Sequence, residues 1–294
     1  MAIGVKWKRN MNKGLALITG ADGGMGTVHT RTLAKAGYEV IMACYDIEIA
    51  RPTYEKIKEE TNATIHLMQV DLGDLHDIVR FADAVKQQFS SLQILLNNAG
   101  VLCHHAKNSV NGVEYTAAVN YLGHYTLTNA LLPIMGKGTR IVSMVSIAYA
   151  VGKLDNLFLA ETNDKRFNRF TTYGNSKRAL YYFMLDAAEQ WKERGICINV
   201  ADPDIVSTGI IRQGNIVVDK LCDWIFRPLI NTPEQGAATM LAAALNPEFE
   251  GVTGCYFKKK KIKKHKKRFY NNIAERTLVR ELTQQVLQKN NINL

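Results

Sequence analysis

No two of the five cysteines stand at C-x-x-C spacing; Cys44, Cys103, Cys197, Cys222 and Cys255 are scattered and odd in number. That pattern argues against a disulfide framework and a cysteine-based zinc site, and it fits a reducing compartment. Long apolar runs are missing as well. Near the start, Lys6, Lys8 and Arg9 are followed only by the short stretch Leu15 to Ile18, too brief for a signal-peptide core or a membrane span. There is no internal repeat and no long Pro/Gly/Ser linker. Acidic residues are outnumbered, 27 against 37 basic ones, but much of the formal charge of +10 sits in the run Lys258 to Arg268. The remainder is close to balanced, so no basic groove for nucleic acid is expected. These absences describe a soluble, cytoplasmic chain with a small-molecule partner.

What is present is a rhythm. Short apolar runs at Leu15–Ile18, Tyr38–Cys44, Thr64–Val70, Ile94–Leu96, Arg140–Val145 and Ile196–Val200 read as strands. Helical patterns lie between them, among them one starting near Met25, then Asp74–Phe89, Gly112–Met135 and Tyr173–Glu193. Strands apolar throughout and separated by helices indicate a parallel sheet covered on both faces, a doubly wound α/β fold of the Rossmann type. The 294 residues then divide into an N-terminal extension (1–13), one catalytic domain (14–257) and a basic tail with a C-terminal helix (258–294). That last helix is read from Ile273, Leu278, Leu282 and Val286 at roughly helical spacing. The basic run 258–268 suits a solvated tail, with peripheral contact to anionic lipid as the other reading.

After the first strand comes Thr19-Gly-Ala-Asp-Gly-Gly-Met-Gly26. Glycines at 20, 24 and 26 allow a sharp turn, close approach of a pyrophosphate and tight helix–sheet packing, and the helix N-terminus offers free N–H groups to phosphate. Asp22 and Met25 fall within this turn, and Asp46 follows about 20 residues later, where a ribose-binding acid is expected. Asp46 also reads as a helix cap. With no Arg or Lys in the turn and Cys44-Tyr45-Asp46 after the second strand, the choice between NAD and NADP leans to NAD.

Tyr173-Gly-Asn-Ser-Lys177 sets a phenol and an ammonium on one helix face. A lysine one turn away, together with the positive end of a bound nicotinamide, favours phenolate, so Tyr173 would be the acid–base group. Ser146, at the end of the fifth strand, would hold the substrate oxygen, with Ser143 as its rival. In the order Gly-rich turn, Asn97-Asn-Ala-Gly100, Ser146, Tyr173 and Lys177, the chain resembles a short-chain dehydrogenase/reductase from about Gly14 to Phe257, in particular the retinol-dehydrogenase-like branch. The resemblance implies that Asp71 and Leu72 flank adenine and that Asn98, Ala99 and Gly100 line the cofactor cleft. It also implies that Asn120 holds a water linking Lys177 to solvent, that Pro203, Val206 and Thr208 meet the nicotinamide end, and that the substrate is lipophilic. A homodimer or homotetramer through the Gly112–Met135 and Tyr173–Glu193 helices would follow.

Two positions depart from that pattern. Pro203-Asp204 stands where the family has Pro-Gly, so a left-handed backbone there falls on an aspartate. Tyr45 stands where the branch has Arg. His104 and His105 are adjacent and without a supporting carboxylate or cysteine cluster, so no metal is expected, and they are read as substrate-cleft loop. Trp224, Ile225 and Phe226 lie in the stretch 210–229, read equally as an apolar lid or as ordinary packing. The rival to an enzyme is a non-catalytic dinucleotide-binding sensor or scaffold.

Overall fold

The computed structural model describes residues 13–204 and 231–294. Val206, Thr208 and the stretch 210–229 therefore lie outside the described residues. Eight strands form one sheet: β1 (Leu15–Thr19), β2 (Glu39–Cys44), β3 (Ile65–Gln69), β4 (Ile94–Asn97), β5 (Arg140–Met144), β6 (Cys197–Asp202), β7 (Tyr256–Lys258) and β8 (Lys261–Lys263). Their order is β3-β2-β1-β4-β5-β6-β7-β8, parallel throughout except that β8 returns antiparallel to β7. This is the Rossmann-type doubly wound sheet expected.

The central strands β1, β2, β4, β5 and β6 are buried on both sides, and alternate side chains feed two cores. Ile18, Met42, Leu96 and Met144 face α1 (Gly24–Lys35), α2 (Ile47–Thr61) and the helix Pro233–Leu245. Leu17, Ile41, Leu95 and Val145 face α3 (Leu75–Gln88) and the helix Arg169–Gln190. In chain order the remaining helices are α4 (Tyr115–Ala117), α5 (His124–Ala130), α6 (Arg169–Gln190), α7 (Pro233–Leu245), α8 (Lys267–Tyr270) and α9 (Ile273–Lys289). Helix starts are written in the sequence: Asp46, Asp74 and Asn168 cap α2, α3 and α6, and Thr232 with Gln235 makes a reciprocal capping box for α7, which has Pro233 in its first turn.

Three differences from the sequence reading concern the segment before β5 and the C-terminal end. The stretch Gly112–Met135 is not one helix: α4 passes into a π-helical segment, Ala118–Gly123, before α5, and the helix proper ends at Ala130. The basic run is not a loose tail. It begins inside β7, turns through Lys259 and Lys260 at positive φ, and returns as β8, because backbone pairing at the open sheet edge satisfies groups a free tail would leave to water. His265 is held between Tyr181 (2.7 Å from its hydroxyl) and the Gly254 carbonyl (2.8 Å). Third, α9 lies against α6 and the Ala118–Ala130 segment. Thr283 meets Tyr121 at 2.6 Å, Tyr182 donates to Glu275 at 2.6 Å, and Arg276 Nε pairs with Asp186 at 2.7 Å. Part of the face that the resemblance offered for dimerisation thus contacts the chain's own last helix.

Val279 and Leu287 of α9 are buried in the same core as α6. Leu287→Ala is expected to lower the unfolding free energy by about 2–4 kcal/mol, read by urea denaturation, as for other buried leucines. A change below about 0.5 kcal/mol, typical of a surface site, would contradict this docking of α9.

Candidate active site

Because β1 and β4 are neighbours whose following helices cover opposite faces, a crevice opens between their carboxyl ends, the usual ligand position in such sheets. A cleft of about 490 Å³ lies there, walled by Gly20, Gly23, Gly24, Met25, Gly26, Ala43, Tyr45, Val70, Asp71, Leu72, Asn98, Ala99, Gly100, Val101, Tyr115 and Val119. Gly20 turns at φ +60°, and a Cβ on Gly26 would stand 2.0 Å from the Gly20 carbonyl oxygen. The first turn of α1 therefore presses directly on the strand end. No side chain caps α1 and no acidic residue sits in its first turn, leaving its positive end to the cleft. The cradle fits a dinucleotide.

The cleft walls are tied together through one threonine. Thr19 Oγ1 accepts from the Asn98 and Ala99 N–H groups at 3.0 Å each and meets His124 Nε2 at 3.1 Å. Asn98 Nδ2 donates back to the Thr19 and Gly20 carbonyls at 2.9 and 3.1 Å. His124 is fully buried, and burial, then the nearby Lys177 charge, pulls its pKa down to about 3. It is a neutral strut at any ordinary pH.

Two expected cofactor residues are placed elsewhere. Asp46 Oδ1 accepts from the Glu48 and Ile49 N–H groups at 2.9 and 3.1 Å, so it caps α2, and the wall at the end of β2 is Tyr45. A free helix N-terminus attracts the nearest carboxylate, which explains the capping role. Asp22 is likewise not among the wall residues; its side chain neighbours the Cys44 thiol, whose pKa burial raises to about 12, with Asp22 adding to the rise. His104 and His105 are exposed and stand outside the cleft wall. Pro203 ends β6, its carbonyl accepting from Asn231 at 3.1 Å.

Beside the cleft, the turn after β5 and the first turns of α6 bring Ser146, Tyr173 and Lys177 together. The Ser146 hydroxyl stands beside the Tyr173 phenol and accepts from Ala148 N at 3.3 Å. Ser143 is instead internal: it accepts from Asn97 at 3.0 Å and donates to Met184 Sδ at 2.9 Å. Lys177 is buried, with Nζ donating to the Met144 carbonyl at 2.9 Å. A Cβ on Gly100 would lie 3.4 Å from both Lys177 Nζ and Asn120 Oδ1, which places these two polar groups side by side.

The sequence expectation combined Lys177 with a bound nicotinamide, and in the protein alone the lysine's part of it is not seen. Lys177 does not lower the tyrosine. Enclosure of the phenol pushes Tyr173 up to about 12; Ser146 opposes the rise and the Asp202 carboxylate adds to it. The lysine ammonium lies 5.7 Å from the Tyr173 ring centre, hydrogen-bonded to a carbonyl, and burial alone draws its own pKa down to about 8. Desolvation outweighs the lysine's charge at this separation. Asn120 is held by its own set of hydrogen bonds. Its amide accepts from Val101 N at 2.7 Å and donates to Val101 O at 2.9 Å and Ser176 at 3.1 Å, so the side chain fixes the loop after β4. A π-helical turn carries it, the kind of irregularity that clusters at functional sites.

Sequence reasoning did not assign Ala43, Val70, Val101, Tyr115 or Val119 to the wall. The first two stand at strand ends, where the rule of the carboxyl edge would have found them. Tyr115 comes from the start of α4, distant in sequence from the strand ends it joins, and has no local signal.

The sequence model of the family described as "short chain dehydrogenase" matches residues 14–216. The chain belongs to the short-chain dehydrogenase family. Similar curated proteins include human polyprenol dehydrogenase, 31% identical over 276 residues, with 90% of this chain and 82% of the relative covered. Bovine retinol dehydrogenase 12 is 33% identical over 247 residues, covering 83% and 77%. These place the protein, an oxidoreductase, in the retinol-dehydrogenase-like branch. Among solved structures, a short-chain dehydrogenase from Burkholderia cenocepacia J2315 in complex with NADP shares the fold at a TM-score of 0.66 and 22% identity, with 83% and 94% covered.

Two expectations follow from this geometry. Gly26→Ala should cost about 2 kcal/mol or more through overpacking against backbone and abolish NADH-fluorescence enhancement; unchanged binding would contradict the cradle. Lys177, at about 8 when folded against an ordinary 10.5, binds fewer protons than in the unfolded chain between those values. Stability should therefore gain a rising contribution across that window, and Lys177→Met should remove it, as read by urea unfolding at pH 8 and pH 10.

Proposed function

We propose that the protein oxidises or reduces a lipophilic alcohol or carbonyl compound with a nicotinamide dinucleotide, Tyr173 moving the proton. The observation that carries this reading is the convergence of Ser146, Tyr173 and Lys177 at the carboxyl end of β5, beside a glycine-lined dinucleotide cleft. When bound, the nicotinamide supplies or accepts the hydride, and its oxidised form adds the positive charge that Lys177 alone does not deliver to the phenol. Ser146 would hold the substrate oxygen, and Tyr173 would protonate or deprotonate it. Lys177 would hold the strand end through Met144 and pass protons near its lowered pKa. Asn120 would keep the loop next to Gly100 in place.

Gly20, Gly24, Met25 and Gly26 would hold the pyrophosphate, Asp71 and Leu72 the adenine, and Asn98 to Gly100 the cleft floor; Pro203 would flank the nicotinamide. No Arg or Lys is in the wall, and Asp71 is its charged member, which favours NAD over the 2′-phosphate of NADP. The complex of the Burkholderia protein with NADP makes NADP the alternative to be tested. An apolar substrate is supported by exposed Ile147, Val151 and Phe170, which flank Ser146 and Tyr173 in sequence, and by the retinol and polyprenol named for the relatives. Among the described residues no helix is long and apolar enough to cross a membrane, and the described cysteines are all free, which suits the cytoplasm.

The test is a panel of retinoid, steroid and fatty alcohols and ketones, assayed with NADH and NADPH after fluorescence titration of each. Wild type should turn over members of the panel with NADH binding more tightly, and Tyr173→Phe should lose about 10²–10⁴-fold in rate with NADH affinity kept. A well-folded wild type that binds NADH but turns over none of them would favour the sensor reading, and full activity in the variant would refute the role of Tyr173.

A further inference from the structure

Asp204 occupies the left-handed region at φ +62°, a conformation that glycine takes freely and aspartate adopts at a cost. The residue is held there by a closed set of polar contacts. Its N–H donates to Asp202 Oδ1 at 2.9 Å, and its carboxylate pairs with Lys258 Nζ at 2.7 Å. Lys258 also reaches Asp202 Oδ2 at 3.3 Å, where the Tyr256 hydroxyl donates at 2.5 Å. Asp202 is fully buried, and an uncompensated carboxylate there would be costly.

Register puts this set beside the acid–base residues. Met144 of β5 is opposite Ala201 of β6, and Val145 N donates to Ala201 O, so Asp202 and Pro203 run level with Val145 and Ser146. Across the next pair Asp202 is opposite Lys258. Val145, Val200 and Tyr256 belong to the core on the α6 side, which is also the side of Tyr173. Around Tyr173 stand Lys177 on its own helix, Ser146 from the turn after β5 and Asp202 from β6. Behind Asp202 come Asp204 and Lys258.

We propose that Lys258 is a positioning residue of this enzyme: its ammonium offsets the Asp202 and Asp204 carboxylates and pins the Pro203–Asp204 turn level with Ser146. The first lysine of the basic run thereby braces the turn behind the site and compensates for the aspartate that replaces glycine. Its catalytic consequence rests on the acid–base reading of Tyr173: without Lys258 the two carboxylates act unopposed and phenolate is disfavoured.

The test compares wild type, Lys258→Met, Lys258→Arg and the double variant Lys258→Met with Asp202→Asn, in urea unfolding at pH 5 and pH 7. Removing the ammonium leaves a fully buried carboxylate without its countercharge, so its charged form costs more in the folded protein than in the unfolded chain and stability falls as pH rises. The loss in Lys258→Met should therefore be larger at pH 7 than at pH 5, absent in Lys258→Arg, and relieved in the double variant. Loss of packing by the lysine stem would be the same at both pH values, and that result would overturn the proposal. If Lys258→Met does not fold, the double variant decides: folded supports the charge argument and unfolded overturns it. With the oxidised cofactor and an accepted alcohol, the rising limb of the pH–rate profile should move to higher pH in Lys258→Met and return in Lys258→Arg; a superimposable profile would overturn the catalytic part. Absence of turnover in wild type would refute the proposed activity alone, since the unfolding comparison needs neither substrate nor cofactor.

Discussion

The carboxyl ends of β1 and β4 must part to make room for a ligand, yet the loops that follow them must not drift. One clamp meets both demands. Thr19 receives the Asn98 and Ala99 N–H groups while Asn98 returns its amide to Thr19 and Gly20. All of these groups lie where water is scarce, so leaving any unpaired would cost more than the bond itself contributes. The clamp in turn fixes Gly20, on which α1 packs, and through His124 it reaches the carbonyl of Asn120 at 3.2 Å. Cleft, helix N-terminus and the segment beside Lys177 thus share one set of constraints.

The residues proposed for acid–base chemistry stand in a different balance. In the protein alone, burial keeps Tyr173 neutral and draws Lys177 down. The site is therefore poised without being activated, and the missing favourable charge is of the kind an oxidised nicotinamide carries. A phenol that ionises only when the cofactor is in place would restrict proton transfer to the loaded site. The carboxylates at the end of β6 are part of the same balance, which is why the lysine opposite them matters beyond strand pairing.

The C-terminal segment shows how composition misleads when taken alone. A run of lysines reads as a solvated tail, and most of these side chains are indeed exposed. Their backbone nevertheless extends the sheet by a hairpin, and the following α9 buries Val279, Thr283 and Leu287. Lysine tolerates this because its charge can stay in water while the main chain pairs, and charged edge strands discourage further association.

Much of this protein was legible from its residues in order. Apolar runs of strand length, the glycines at 20, 24 and 26 and the spacing of Tyr173 and Lys177 are local signals, and each acts through its own neighbours. The left-handed turn at Asp204 was also foreseeable from the Pro-Gly pattern it replaces. Only the tertiary structure decided the rest. Whether Asp46 faces a ribose or caps α2, whether Lys177 or burial governs Tyr173, and which lysine of the run meets Asp202 all depend on distances between segments far apart in the chain. Sequence fixes which groups can ionise or hydrogen-bond; desolvation and strand register, which arise only on packing, determine which of them do.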